Sequence, residues 1–220
     1  GNVTRTAPVD VVFPLLHGPF GEDGTVQGLL EMADLHYVGC GVTASAVGMD
    51  KHFMKVTFES AGLEVGPYEV VTNRQWEHED REQILERVLK LGFPMFVKPT
   101  RAGSSFGITK VDSVEELVPA IEEARRHDPK IIIVGREIEC AVLDGHHGEM
   151  PRASYPGEIE VVDEDHGFYD FEAKYVSESS AVTVCPANLP QDVQDRVREL
   201  AVKAFLALDG EGLSRADFFY

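Results

Sequence analysis

Residues 93–111, FPMFVKPTRAGSSFGITKV, leave the backbone few options. An apolar run ends at Lys98 and Pro99, a loop follows, and the chain turns apolar again at Ile108. This reads as a hairpin. A loop that only joins two strands needs about two to five residues and one glycine. Here there are two glycines, two adjacent serines and an arginine, with Lys98 at the strand end. Glycines let backbone N–H groups approach a ligand closely, and Ser and Lys add donors for negative oxygens. The composition suits a loop that holds phosphate. It suits equally a plain hairpin with a lysine snorkelling at its mouth.

The flanking pattern narrows the fold class. Val9–Leu16 is a continuous apolar run, expected to be a buried parallel strand, and it ends at His17 in the loop HGPFGEDG. A short helix over TVQGLLEMADL and a short strand over HYVGCGV complete a strand–helix–strand unit. In such doubly wound units ligands lie beyond the strand ends. Residues 48–67 predict a helix with Phe53, Met54, Phe58 and Ala61 inward, stopped at Gly62. YEVVT predicts a strand, residues 80–92 an amphipathic helix, and Ser113 with Glu116 a capping box. Further strands are expected in KIIIVGREIECAVLDG and GEIEV, a long helix from about Pro190, and a last strand in LSRADFFY. The class is α/β, α+β overall, with more than one subdomain.

Several functions are excluded or disfavoured. A formal charge of −18 argues against nucleic acid as partner. Three widely spaced cysteines without a CxxC pair fit free thiols in a reducing compartment. No run approaches 18 apolar residues, so neither a membrane span nor a signal peptide is expected, and the reading is cytoplasmic. The phosphate-loop motif G-x-x-x-x-G-K-[ST] and the dinucleotide motif G-x-G-x-x-G are both missing. GCGVTASA reads as a turn.

Two other places could carry chemistry. FYDFEAKY puts Phe168, Tyr169, Phe171 and Tyr175 beside Lys174 in a long irregular segment, as a loop that closes over something would. Arg215 and Asp217 alternate on one strand and share a face, which suits either a charge clamp with a metal ligand or a structural ion pair. His17 alone reads as an ordinary hydrogen-bonded histidine at a strand end.

Taken in chain order, LHGPFGEDGTVQGLLE, GMDKHFMK, FVKPTRAGSSFGITKV, GREIE, YDFEAKY and EGLSRADFF resemble the D-alanine–D-alanine ligases of the ATP-grasp superfamily. The resemblance runs over nearly the whole chain. It implies an ATP-grasp fold, with a partial N-terminal substrate-side domain (1–50), a central subdomain (51–134) and a C-terminal subdomain (135–220). It also implies ATP-dependent joining of two D-alanines through an acyl phosphate, for peptidoglycan synthesis, with Mg2+ (or Mn2+) as cofactor and a homodimer as assembly. By matching position, Lys51 and Lys98 would hold ATP phosphates and Glu137 the ribose. Ser104 and Ser105 would lie over the substrates, with Lys174 at the transferred phosphate and Tyr175 locked toward Ser104. His17 would lie beside the first D-alanine, Arg215 at the oxyanion, and Asp217 would ligate magnesium.

Tyr175 separates the dipeptide-forming members from relatives that use D-lactate. The chain departs from the family in starting after its Ser-Glu segment and in running from Val134 straight into GREIE. It also ends before a Glu-x-Asn pair. These departures are those of an incomplete chain. The rival readings are a D-alanine–D-lactate or other ATP-grasp carboxylate–amine ligase, an inactive nucleotide-binding module, and a plain α/β scaffold.

Overall fold

The computed structural model describes residues 9–103, 107–134, 138–145, 149–161 and 181–218. Its middle is a four-stranded antiparallel sheet in the order β3 (Glu69–Thr72), β6 (Lys130–Val134), β4 (Met95–Pro99), β5 (Thr109–Val111). The hairpin is present: Met95 pairs with Val111 and Val97 with Thr109. Alternation along β4 sends Met95 and Val97 to one face and Phe96 and Lys98 to the other. The first face meets helix α6 (Val114–Arg125), which contributes Leu117, Ile121 and Ala124 to a core with Val71, Val97, Ile131 and Ile133. Trp76 of α4 (Asn73–His78) and Ile84 and Val88 of α5 (Arg81–Leu89) join the same core. Burying this set drives the unit's assembly, at roughly 1.5–3 kcal/mol for each large aliphatic side chain.

The opening unit is smaller than its sequence pattern suggests. Only Val11–Val12 forms a strand (β1), pairing in parallel with His36–Tyr37 (β2) across α1 (Thr25–Met32). Parallel pairing was expected; burial of Val9–Leu16 was not found. Val9, Val11, Phe13, Leu15 and Leu16 are all exposed, because no second layer of described residues covers them. GCGVTASA is also more than a turn, since Val42–Met49 forms helix α2.

Helix α3 (Lys51–Ser60) begins at Asp50, whose carboxylate accepts from the N–H groups of His52 and Phe53. The glycine stop is as expected, with Gly62 at φ 75°. The inward face is not. Phe53 is 54% exposed and Lys55 is the helix's buried residue. Phe53 instead carries the Lys130 ammonium 4.1 Å from its ring centre. Ser113 precedes α6 but its side chain makes no cap bond; Glu116 reaches back to the N–H of Asp112 instead.

The closing part is a second antiparallel sheet, β11 (Leu213–Phe218), β7 (Ile138–Leu143) and β8 (Arg152–Ala153), covered by α7 (Gln191–Ala207). Val142, Val197, Ala201 and Phe205 form its core. Beside it β9 (Glu158–Val161) pairs with β10 (Ala181–Val184). Among the described residues no helix is long and apolar enough to cross a membrane.

Candidate functional site

Two glycine-bearing loops meet at the end of β4. The loop after Pro99 starts at Thr100, and its Gly103 lies against the first loop. A Cβ built there would stand 3.4 Å from the Cα of Gly18 and 3.7 Å from the Glu22 carboxylate. Glu22 itself accepts from the Gly18 N–H, folding the HGPFGEDG loop back on itself. Gln27, buried in α1, donates from Nε2 to the Gly21 carbonyl at 3.1 Å and fixes the same loop from below. Gly24 closes it at φ 89°, where an added Cβ would strike the Val42 carbonyl at 2.7 Å. Only glycine fits there.

Between the two loops lies a cavity of about 380 Å3, lined by His17, Gly18, Pro19, Arg101, Ala102, Gly103 and His127. A second hollow of about 400 Å3 beside β2 is lined by Glu31, Asp34 and Glu211. Three carboxylates repel phosphate, so the first cavity is the better nucleotide candidate.

Lys98 is 4% exposed, on the face of β4 opposite the core, with Phe96 alongside. Lys51, first residue of α3, is stitched to the loop twice: its N–H donates to the Thr100 carbonyl at 3.0 Å, and its ammonium to the Ala102 carbonyl at 2.7 Å. The helix therefore places a cation at the loop's entry, which favours anions, while its own first N–H groups are taken by Thr100 and Asp50.

The loop is held underneath by the turn between α6 and β6. Asp128, buried, accepts from Thr100 Oγ1 at 2.9 Å and Arg101 N–H at 2.8 Å, and from the Arg101 guanidinium at 2.7 and 3.1 Å. Burial pushes its carboxyl pKa up, but Arg101, the Lys130 N–H and Thr100 outweigh that and hold it below the ordinary value. Next in sequence, His127 packs against the loop's far end. Gly107 has φ 70°, and a Cβ there would stand 2.6 Å from the His127 ring. Lys130 then pairs with Asp50 at 2.7 Å, tying β6 to the start of α3.

His17 thus lines the cavity, Lys51 is bonded to its loop at Thr100 and Ala102, and Lys98 lies on β4 two residues before Thr100. Arg215 lies exposed on β11, its backbone opposite Ala141, and Asp217 pairs through its backbone with Glu139. Ser104, Ser105, Glu137, Lys174 and Tyr175 lie outside the described residues. Sequence reasoning counted Arg101 among the loop's cations without giving it a partner, and it missed Asp128 and the Asp50–Lys130 pair. Their signal is weak, since each looks like ordinary surface charge until the chain folds. Among the described residues no cluster of three metal-ligating side chains occurs.

A family model for the D-ala D-ala ligase C-terminus matches residues 57–220, and one for the N-terminus of the same ligases matches residues 1–40. The D-alanine–D-alanine ligase of Pseudarthrobacter chlorophenolicus is 66% identical over 216 residues, covering 96% of this chain and 56% of the relative. That of Streptomyces griseus is 58% identical over 227 residues, covering all of this chain and 57% of the relative. The chain thus spans little more than half the length of these relatives. Among solved structures, the D-alanine–D-alanine ligase of Coxiella burnetii superposes with TM-score 0.77 at 32% identity, over 98% of this chain and 56% of that one. A D-Ala:D-Ser ligase from Enterococcus faecalis superposes with TM-score 0.80 at 38% identity, over 99% and 62%.

Proposed function

The chain belongs to the D-alanine–D-alanine ligase family, and from that premise we propose that the protein it forms part of joins two D-alanines, using ATP. Its fold is the ATP-grasp fold of these ligases. One observation carries the reading to this chain's residues: the buried Lys98 and the helix-borne Lys51 stand at the entry of a glycine loop that abuts the HGPFGEDG loop. Residues 1–50, 51–134 and 135–220 are assigned as partial substrate-side, central and C-terminal units. The parallel pair at 11–37, the four-stranded sheet and the β11–β7–β8 sheet support this division.

Phosphoryl transfer needs placement and neutralised oxygens more than covalent help from the protein. Lys51 and Lys98 would hold the ATP phosphates as point charges, and the loop amides with Ser104 and Ser105 would close on the transferred group. Lys174 would meet that phosphate, with Tyr175 fixing the closing segment to Ser104, and Glu137 would bind the ribose. The first D-alanine's carboxylate then becomes an acyl phosphate beside His17. Attack by the second D-alanine's amine builds a tetrahedral oxyanion, which Arg215 would stabilise. Magnesium, when bound, neutralises phosphate charge, and Asp217 is the residue of this chain proposed to hold it.

D-alanine is the second substrate on this reading, because the relatives at 58–66% identity are D-alanine–D-alanine ligases while the D-Ala:D-Ser ligase stands at 38%. The test is phosphate release by the full-length protein with ATP, magnesium and D-alanine, against D-serine, D-lactate and L-alanine. Release with D-alanine alone, yielding D-alanyl-D-alanine, supports the proposal. Tight ATP binding without release would reduce the protein to a nucleotide-binding module.

A further inference from the structure

Asp128 is 3% exposed, and its carboxylate takes five hydrogen bonds. Oδ2 accepts from Thr100 Oγ1, the Arg101 N–H and Arg101 Nε; Oδ1 accepts from Arg101 Nη2 and the Lys130 N–H. A carboxylate offers about four lone-pair sites, so none is left for a substrate. Asp128 is not a catalytic residue. Four of its five bonds leave its own turn and grip Thr100 and Arg101, the first two residues after Lys98 and Pro99. An aspartate serving only the end of α6 would bond within that turn, as its Lys130 bond does.

We propose that Asp128 is a positioning residue that sets the entry of the loop after Pro99, at Thr100 and Arg101. It sets the height at which the loop's amides and Lys98 meet the phosphates. Its neighbour His127 bears on the loop's other end through Gly107. The α6–β6 turn thus bears on both described ends of the loop, at Thr100–Arg101 and at Gly107. This inference rests on the phosphate role proposed above.

Asp128→Asn is the sharpest perturbation, because it keeps the shape and replaces one acceptor oxygen with a donor. Whichever way the amide turns, an NH2 group faces an Arg101 or Thr100 donor, and the loop entry must shift. Displacing a positioning element by about 1 Å can cost on the order of 100-fold in rate. In the full-length protein, kcat for D-alanine-dependent phosphate release is expected to fall roughly 10- to 100-fold, while KM for ATP changes by less than about threefold. Amide hydrogen exchange of the ligand-free protein should quicken over 100–107 and not over α5 or α7. Thr100→Val, which removes one of the five bonds, should show the same pattern at smaller amplitude and serves if the asparagine variant does not fold.

Unchanged exchange over the loop, or a rate loss matched by faster exchange throughout the molecule, would overturn the proposal. If the wild-type protein released no phosphate, the proposed reaction would fall. The exchange measurement would then decide by itself whether Asp128 holds the loop.

Discussion

Asp50→Ala tests the joint between α3 and the central sheet. Asp50 is 5% exposed and has two tasks. It caps α3 through the N–H groups of His52 and Phe53, at 3.1 and 3.2 Å, and it pairs with Lys130 at 2.7 Å. Loss of an N-cap costs about 1 kcal/mol. Breaking a buried pair by deleting one partner costs about 3–5 kcal/mol. The lower end applies here, because the Lys130 side chain keeps 16% exposure and the Phe53 ring at 4.1 Å. The sum is about 4 kcal/mol. Asp50→Asn keeps a capping oxygen and should lose about 3 kcal/mol, the pair alone. Thermal and urea unfolding of the full-length protein reads both variants, and a double-mutant cycle with Lys130→Met isolates the coupling. An asparagine variant as stable as wild type would refute the reasoning, since the pair would then contribute nothing.

Two further outcomes follow from the electrostatics. The Asp128 carboxyl is held below its ordinary 3.8, despite burial, by Arg101, the Lys130 N–H and Thr100, so its stabilisation is fully present above that value. It is lost as pH falls through the lowered folded value. The stability gap between wild type and Asp128→Asn should therefore be constant from pH 5 to 7 and close on acidification below pH 4, as urea unfolding at each pH would show; a gap independent of pH would contradict the assignment. Tyr37, desolvated and hydrogen-bonded at 2.9 Å to Glu31, has its pKa pushed up to about 12. Absorbance titration should find it ionising well above the ordinary tyrosine value of about 10, and Glu31→Gln should bring it down; no response to that substitution would place the cause elsewhere.

The central hairpin and its core were legible because they rest on two apolar runs and on the glycine-bearing loop between them. Both signals are local. The opening unit misled because an apolar run such as Val9–Leu16 reports what a segment can bury, while actual burial depends on what lies across from it. Helix α2 was missed because VTASAVGM carries little amphipathic pattern. Lys51, Lys98 and His17 were singled out through the family's motifs; of these His17 lines the cavity and Lys51 bonds its loop. Asp128 could not be found that way. Its partners Thr100 and Arg101 lie 28 and 27 residues away, and an Asp before a Pro at a helix end reads as punctuation.

Lys98 offers a separate decision between a structural and a functional lysine. At 4% exposure it occupies a strand position flanked by Val97 and Pro99 and backed by the buried Ile132. Keeping an ammonium out of water costs several kcal/mol before any partner compensates. Lys98→Met keeps the length and the apolar stem and removes the charge, so an affinity loss out of proportion to any change in stability marks the charge as functional. Binding of ATP should meanwhile weaken by about 10-fold or more, the loss of one charge-assisted contact at roughly 1.5–3 kcal/mol. Affinity would then fall by more than stability, as where a residue is kept for function. Nucleotide titration and thermal unfolding of the same variant measure both. A variant that loses stability and affinity in proportion would make Lys98 a structural residue and leave the loop amides and Lys51 to hold the phosphates.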